Sequence, residues 1–120
     1  MTIGLLSFSS FAHVERSQLS SGIEQKEPVD DLGQYVTTQQ GTVRKLYFFS
    51  HIKDMANREI IHRWLYKGEE KAAIVLNIGS DDWRTYSSKN IPWQWQGEWQ
   101  VQVWHEDLQL ISYTFSLNTH

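Results

Sequence analysis

Short runs of alternating apolar and polar residues, broken by turn residues, dominate this 120-residue chain. Residues 42–52, TVRKLYFFSHI, are rich in β-branched and aromatic side chains and read as a strand. Val43, Lys45, Tyr47 and Phe49 lie on one face, and Leu46, Phe48 and Ile52 on or near the other. Residues 58–68 alternate likewise, with Ile60, His62, Trp64 and Tyr66 opposite Ile61, Arg63 and Leu65. KGEE, residues 67–70, is a tight-hairpin signal, after which Ala72, Ile74, Leu76 and Ile78 share a face. Residues 69–76 also contain good helix formers, but the β-branched Ile74 and Val75 and the preceding hairpin favour a strand. The cleanest alternation runs over residues 98–107, with Trp99, Val101 and Val103 opposite Gln100, Gln102 and Trp104. Residues 108–118 form the last predicted strand.

Two weaker strands complete the pattern, one over residues 14–24 and a short one over residues 83–86. QKEPVDDLGQ reads as a loop because of Pro28, the paired aspartates and Gly33. IPWQWQGE reads as another, since Pro92 interrupts a ladder and Gly97 marks a turn or bulge. Six to seven short strands, regular turns and no helix predict an all-β chain, an antiparallel β-sandwich of immunoglobulin-like or jelly-roll-like topology. One domain over residues 13–120 suits the length.

Composition narrows the function classes. Net charge is −3, and the 11 lysines and arginines form no basic run, which argues against nucleic acid as a partner. No stretch is long and apolar enough to span a membrane as a helix. The absence of cysteine excludes disulfides, thiol catalysis and cysteine-bound zinc. The five histidines are scattered without an HxH or HExxH pattern, so no metal or other cofactor is expected. The first 12 residues, MTIGLLSFSSFA, end like a signal peptide but are short and lack a basic start. They read either as a truncated signal-peptide remnant, which favours a periplasmic or secreted protein, or as a disordered or loosely docked N-terminus.

Five landmarks occur in a recognisable order: EPVD (27–30), LYFFSHI (46–52), HRWLYKGE (62–69), WRTYSSK (83–89) and GEWQVQVW (97–104). Together they resemble the bacterial family catalogued as domain of unknown function 2914, over about residues 14–115. The resemblance implies a small β-domain of proteobacterial proteins, often exported or joined to membrane segments, with no established activity and no catalytic residue to carry over. The 120 residues contain no such membrane segment, and the Trp93/Trp95 pair is richer in tryptophan than the pattern requires.

Three groups of residues carry candidate chemistry. His62 and Arg63 suit a ligand or anion contact, or else a buried histidine and an arginine lying over the opposite face. Arg84 and Lys89, with Ser87 and Ser88 between them, suit an anionic oxygen; alternatively the serines turn the chain and the cations pair with Asp81 and Asp82. Trp93 and Trp95, interleaved with Gln94 and Gln96, suit a sugar, because rings stack on C–H faces while amides bind hydroxyls. The same loop could instead cap one end of the sandwich. A domain stabilised by about 5–15 kcal/mol cannot leave all six tryptophans outside, and Trp64, Trp83 and Trp99 are the expected core members. The sequence therefore favours a non-catalytic binding module of the envelope, for glycan or peptidoglycan. A structural or protein-interaction domain, as a homodimer or with an envelope protein, comes second. A hydrolase-type enzyme comes third, since no paired acid and base stand at a meaningful spacing.

Overall fold

The computed structural model describes residues 12–119, and in them ten strands follow one another with no helix. They are β1 (His13–Ser20), β2 (Ile23–Glu24), β3 (Glu27–Pro28), β4 (Tyr35–Thr38), β5 (Val43–Lys53), β6 (Arg58–Tyr66), β7 (Glu69–Ile78), β8 (Asp82–Pro92), β9 (Gly97–His105) and β10 (Leu108–Thr119). The proposed signal-peptide remnant, apart from Ala12, lies outside the described residues.

Two sheets face each other. One has three strands in the order β1-β5-β8, and the other five in the order β4-β10-β9-β6-β7. Every pairing is antiparallel except that of β4, which runs parallel to β10. The sandwich follows from alternation: each strand turns its apolar set inward. Leu46, Phe48 and Ile52 of β5 meet Ile60 and Trp64 of β6, Val101 and Val103 of β9 and Phe115 of β10 in one buried cluster. Phe48 contacts His62 and Tyr113 edge-on, at 5.3 and 5.4 Å between centroids. Trp64 and Trp99 are wholly buried, and each removes roughly 150–250 Å² from water.

Turn chemistry sets the register. Lys67 and Gly68, with φ of 50° and 86°, form the two-residue connection of β6 to β7, which matches the twist of the flanking strands. Gln25 and Lys26, with φ of 50° and 64°, close the β2–β3 hairpin in the same way. This hairpin was not predicted; Pro28 ends it and does not prevent it. It lies against the three-stranded sheet, where Glu27 reaches both Arg16 on β1 and Arg84 on β8. Beneath it Phe49 is buried outside the main cluster, with the Arg16 guanidinium 4.7 Å from its ring centre.

Several boundaries differ from expectation. The first strand ends at Ser20, where the Ser20 hydroxyl and Asp30 carboxylate begin a hydrogen-bonded loop. β8 covers Asp82–Pro92 because it pairs along the whole of β5, so Ile91 and Pro92 are ladder residues and only residues 93–96 form the loop. β4 was missed: four residues give too little alternation, although Val36 and Thr38 point inward and Tyr35 and Thr37 outward. Trp83 is half-buried at one end of the sandwich and not a central core residue.

Candidate functional site

The three groups of candidate residues fall in three different places. His62 is fully buried between the sheets. Its Nδ1 lies 2.6 Å from the Ser87 hydroxyl and its Nε2 lies 2.9 Å from the Ser50 hydroxyl. Ser87 also accepts the indole N–H of Trp64, at 3.0 Å. Burial pushes the imidazole down to about 3, so it is neutral at physiological pH. With both nitrogens occupied and no surface, His62 cannot touch a ligand from solution. Arg63, one residue on, faces the opposite side of the sheet, pairs with Glu70 at 2.7 Å and lies 5.5 Å from the Trp104 ring centre. Strand alternation thus separates the two members of this pair.

Alternation also divides WRTYSSK. Arg84 points outward from β8 and pairs with Glu27, 57 residues away, and not with Asp81 or Asp82. Asp82 is engaged by His51 and by Lys53. Ser87 points inward into the His62 network, and Lys89 lies at the far end of β8. Arg84, Ser87 and Lys89 therefore do not converge on one anion.

Lys89 instead joins the tryptophan loop. Pro92 ends β8 and Gly97 starts β9, so residues 93–96 cross from one sheet to the other over one end of the sandwich. Trp95 is the residue that closes this end. Its ring lies 5.6 Å from that of Tyr66 with 11° between planes, and 6.1 Å from that of Trp99 with 23°. Trp99 continues the stack to Phe115 at 6.3 Å. Backbone carbonyls of the loop are held by core side chains. The Trp99 indole donates to the Trp95 carbonyl at 2.9 Å, and the Tyr66 hydroxyl to the Gln96 carbonyl at 2.7 Å. The Gln96 side-chain oxygen faces the backbone N–H and hydroxyl of Thr119, at 3.3 and 3.4 Å. Trp93 is half-buried in the turn, Gln94 is exposed, and the ring partners of Trp95 are Tyr66 and Trp99 and not Trp93. The loop caps this end of the sandwich through the Trp95 ring, and Trp93 does not join that stack.

Three lysines gather around this cap. The ammonium groups of Lys71 and Lys89 lie 5.0 and 6.0 Å from the Trp95 ring centre. That of Lys67 lies 5.3 Å from the Tyr66 ring centre. Gly97 helps to place it: with φ of 111° it has no side chain where the Lys67 stem passes, 3.1 Å from a Cβ built there. Lys71 pairs with Glu69 at 2.9 Å, whereas among the described residues Lys67 and Lys89 make no ion pair. Asp54, Asp81, Asp82, Glu106 and Asp107 fall at the opposite end of the sandwich. The absence of a basic run hid this arrangement, because Lys67, Lys71 and Lys89 come together only when the β6–β7 hairpin stands beside the end of β8. The doublet of lysines around Gly68 was its one visible trace.

A second surface is the outer face of the five-stranded sheet. Gln102 donates to Gln100 at 2.9 Å and Trp104 donates to Gln102 at 2.8 Å, a row of amides ending in an indole. Arg63 lies beside that indole, and Tyr35, 80% exposed, stands at the far edge. Among the described residues no group of three histidines or carboxylates is placed to hold a metal ion, and no helix is long and apolar enough to cross a membrane.

Two facing sheets with Greek-key-like crossings define an immunoglobulin-like β-sandwich, and solved structures agree. An immunoglobulin-like protein from Pseudomonas aeruginosa superposes with a TM-score of 0.63 at 14% identity, covering 92% of this chain and 99% of that one. The CARDB domain of a Pyrococcus furiosus protein, solved in complex with di-metal ions, superposes with a TM-score of 0.50 at 9% identity, covering 93% and 100%. At such identities the likeness is one of fold. Residues 57–116 match the family described as Protein of unknown function (DUF2914), and the chain belongs to that family. The match spans β6 to most of β10 and so includes HRWLYKGE, WRTYSSK and GEWQVQVW, while EPVD and LYFFSHI precede it. No curated protein is similar in sequence.

Proposed function

We propose that this protein is a non-catalytic binding module of the bacterial envelope, periplasmic or secreted, whose ligand is a saccharide bearing carboxylate or phosphate groups, peptidoglycan fragments included. The observation that carries this reading is the placement of Lys71 and Lys89 within 6.0 Å of the centre of one half-buried tryptophan ring, with Lys67 beside the adjacent tyrosine. Ammonium groups attract the anionic substituents, and the ring edge and exposed Gln94 offer apolar and amide contacts to a sugar. The non-catalytic part is supported by His62, the histidine that the sequence offers for an enzymatic site, being sealed in the core.

Titration with polygalacturonate, followed by tryptophan fluorescence, tests the reading, with neutral dextran as the control. Polygalacturonate should change the emission, and the response should weaken at high salt, since exposed cations are screened. Lys71→Ala/Lys89→Ala should abolish it while leaving the fold unaltered. An equal response to dextran, or none to a panel of acidic and phosphorylated glycans, refutes the assignment. Osmotic-shock fractionation of cells expressing the native gene tests the envelope location; retention in the cytoplasmic fraction refutes it.

The row Gln100, Gln102, Trp104 and Arg63 favours a second reading, a protein-interaction domain. Aromatic residues and arginine on an uncovered sheet face are enriched at protein interfaces. Trp104→Ala would then abolish capture of an envelope protein without affecting the glycan response.

A further inference from the structure

A sheet ends in strands whose outer backbone groups are unpaired, and proteins blunt such edges by shortness, proline, bulges or charge. Among the described residues, three of the four edges of the two facing sheets are blunted. β4 has only four residues, β1 carries a register shift between Val14 and Arg16, and β8 ends in Pro92. β7 is different. It is a ten-residue edge strand without proline or glycine, and its register shift lies at the hairpin end, opposite Trp64 and Leu65. Its segment Ala72, Ala73, Ile74, Val75, Leu76 carries no charge, and Val75 is 55% exposed. Val75 pairs with Ile61, which pairs with Trp104, so an apolar strip runs from the open edge across the outer face.

We propose that β7 pairs antiparallel with β7 of a second copy of this chain, joining two five-stranded sheets into one of ten strands. The occupant follows from self-complementarity. With the two-fold axis at Ile74, Ala72 lies opposite Leu76 and Ala73 opposite Val75, small against large on both faces. The regular, uncharged part of the strand starts at Ala72, beyond the bulged Lys71, so no like charges meet across the axis. Residues that point into each core stay on the core side of the joined sheet, because paired residues share a face. The proposal rests on the sheet edge and is independent of the ligand assigned to the Trp95 end.

Light scattering on the native chain should give twice 14.1 kDa at micromolar to millimolar concentration. Ala73→Lys/Val75→Lys changes two exposed outward positions and sets like charges opposite one another, so it should be monomeric, as should Ala73→Glu/Val75→Glu. An equimolar mixture of the two variants should recover the dimer, which tests the register itself. On the native chain, amide exchange should slow with concentration in β7 and not in β4, a readout that needs no variant. A native chain of 14.1 kDa throughout the range, or a dimer untouched by both charge variants with no concentration-dependent protection in β7, overturns the proposal.

Discussion

The imidazole Nδ1 of His62 on β6 lies 2.6 Å from the hydroxyl of Ser87 on β8, so a polar contact joins the two sheets through the middle of an apolar core. Ser50 completes the arrangement from β5, and Phe48 packs edge-on against the ring. Buried polar groups cost free energy unless they are paired, so this contact constrains how the sheets align.

Acid stability should depend on His62. Its folded value, about 3, is depressed below the ordinary 6.5, so the unfolded chain binds a proton that the native protein refuses. The stability that His62 contributes is complete above pH 6.5 and is lost progressively as pH drops from there towards 3. The groups that face the ring are Ser50, Ser87, Trp64 and Phe48, none of which titrates in that window. His62→Gln should be less stable at pH 7 but show a flatter dependence between pH 6 and 4. Urea unfolding at several pH values checks this; parallel dependences for the two proteins would refute it.

Trp64 and Ser87 should behave as a coupled pair. Trp64→Phe loses the indole hydrogen bond and leaves a small void, costing about 1–3 kcal/mol. Ser87→Ala removes the same acceptor and leaves the imidazole Nδ1 without its partner, while Nε2 keeps Ser50. In a double-mutant cycle by denaturant unfolding, the combined loss should be smaller than the sum of the two single losses.

Gly97→Ala should reduce stability by about 1–3 kcal/mol, because alanine is strained at a positive φ and its methyl would press on the Lys67 stem. Lys67 would shift away from the cap. Thermal unfolding reads the first effect, and a weaker polygalacturonate response reads the second.

Glu27 should hold the β2–β3 hairpin against the sheet. Its carboxyl is lowered from the ordinary 4.5, first by the hydrogen bond from Arg16 and then by that from Arg84. A depressed carboxylate contributes stability that is present above pH 4.5 and lost as pH falls through the lower native value. Both contacts are solvent-exposed, so the effect should be small and should vanish at 1 M salt. Amide exchange should be faster in residues 21–31 of Glu27→Gln than in the native chain at low salt, and equal at high salt.

Much of the sandwich was legible because a strand writes its two faces in alternate letters. Trp99, Val101 and Val103 point inward and Gln100, Gln102 and Trp104 outward, as their spacing indicates. The same holds for Ile60, His62 and Trp64. Short elements escaped: β4 is a strand because β10, distant in the chain, is beside it, and the β2–β3 hairpin has only two residues a side and is held down through Glu27 by Arg16 and Arg84. Helix propensity in residues 69–76 was overruled by the ladder with β6.

Chain order placed Arg84 and Lys89 together and left Lys67 and Lys71 unnoticed; space does the reverse. The amino-acid sequence alone determined the all-β class, the inward faces of the long strands and the family, because these depend on local periodicity and on the order of short motifs. Which cations share a site, and which tryptophan rings stack, was decided only by the pairing of β8 with β5, the crossing of residues 93–96 and the stacking of Trp95 on Tyr66 and Trp99. Sheet pairing brings residues within hydrogen-bonding reach irrespective of their separation in sequence, and no local pattern records which strand will be the neighbour.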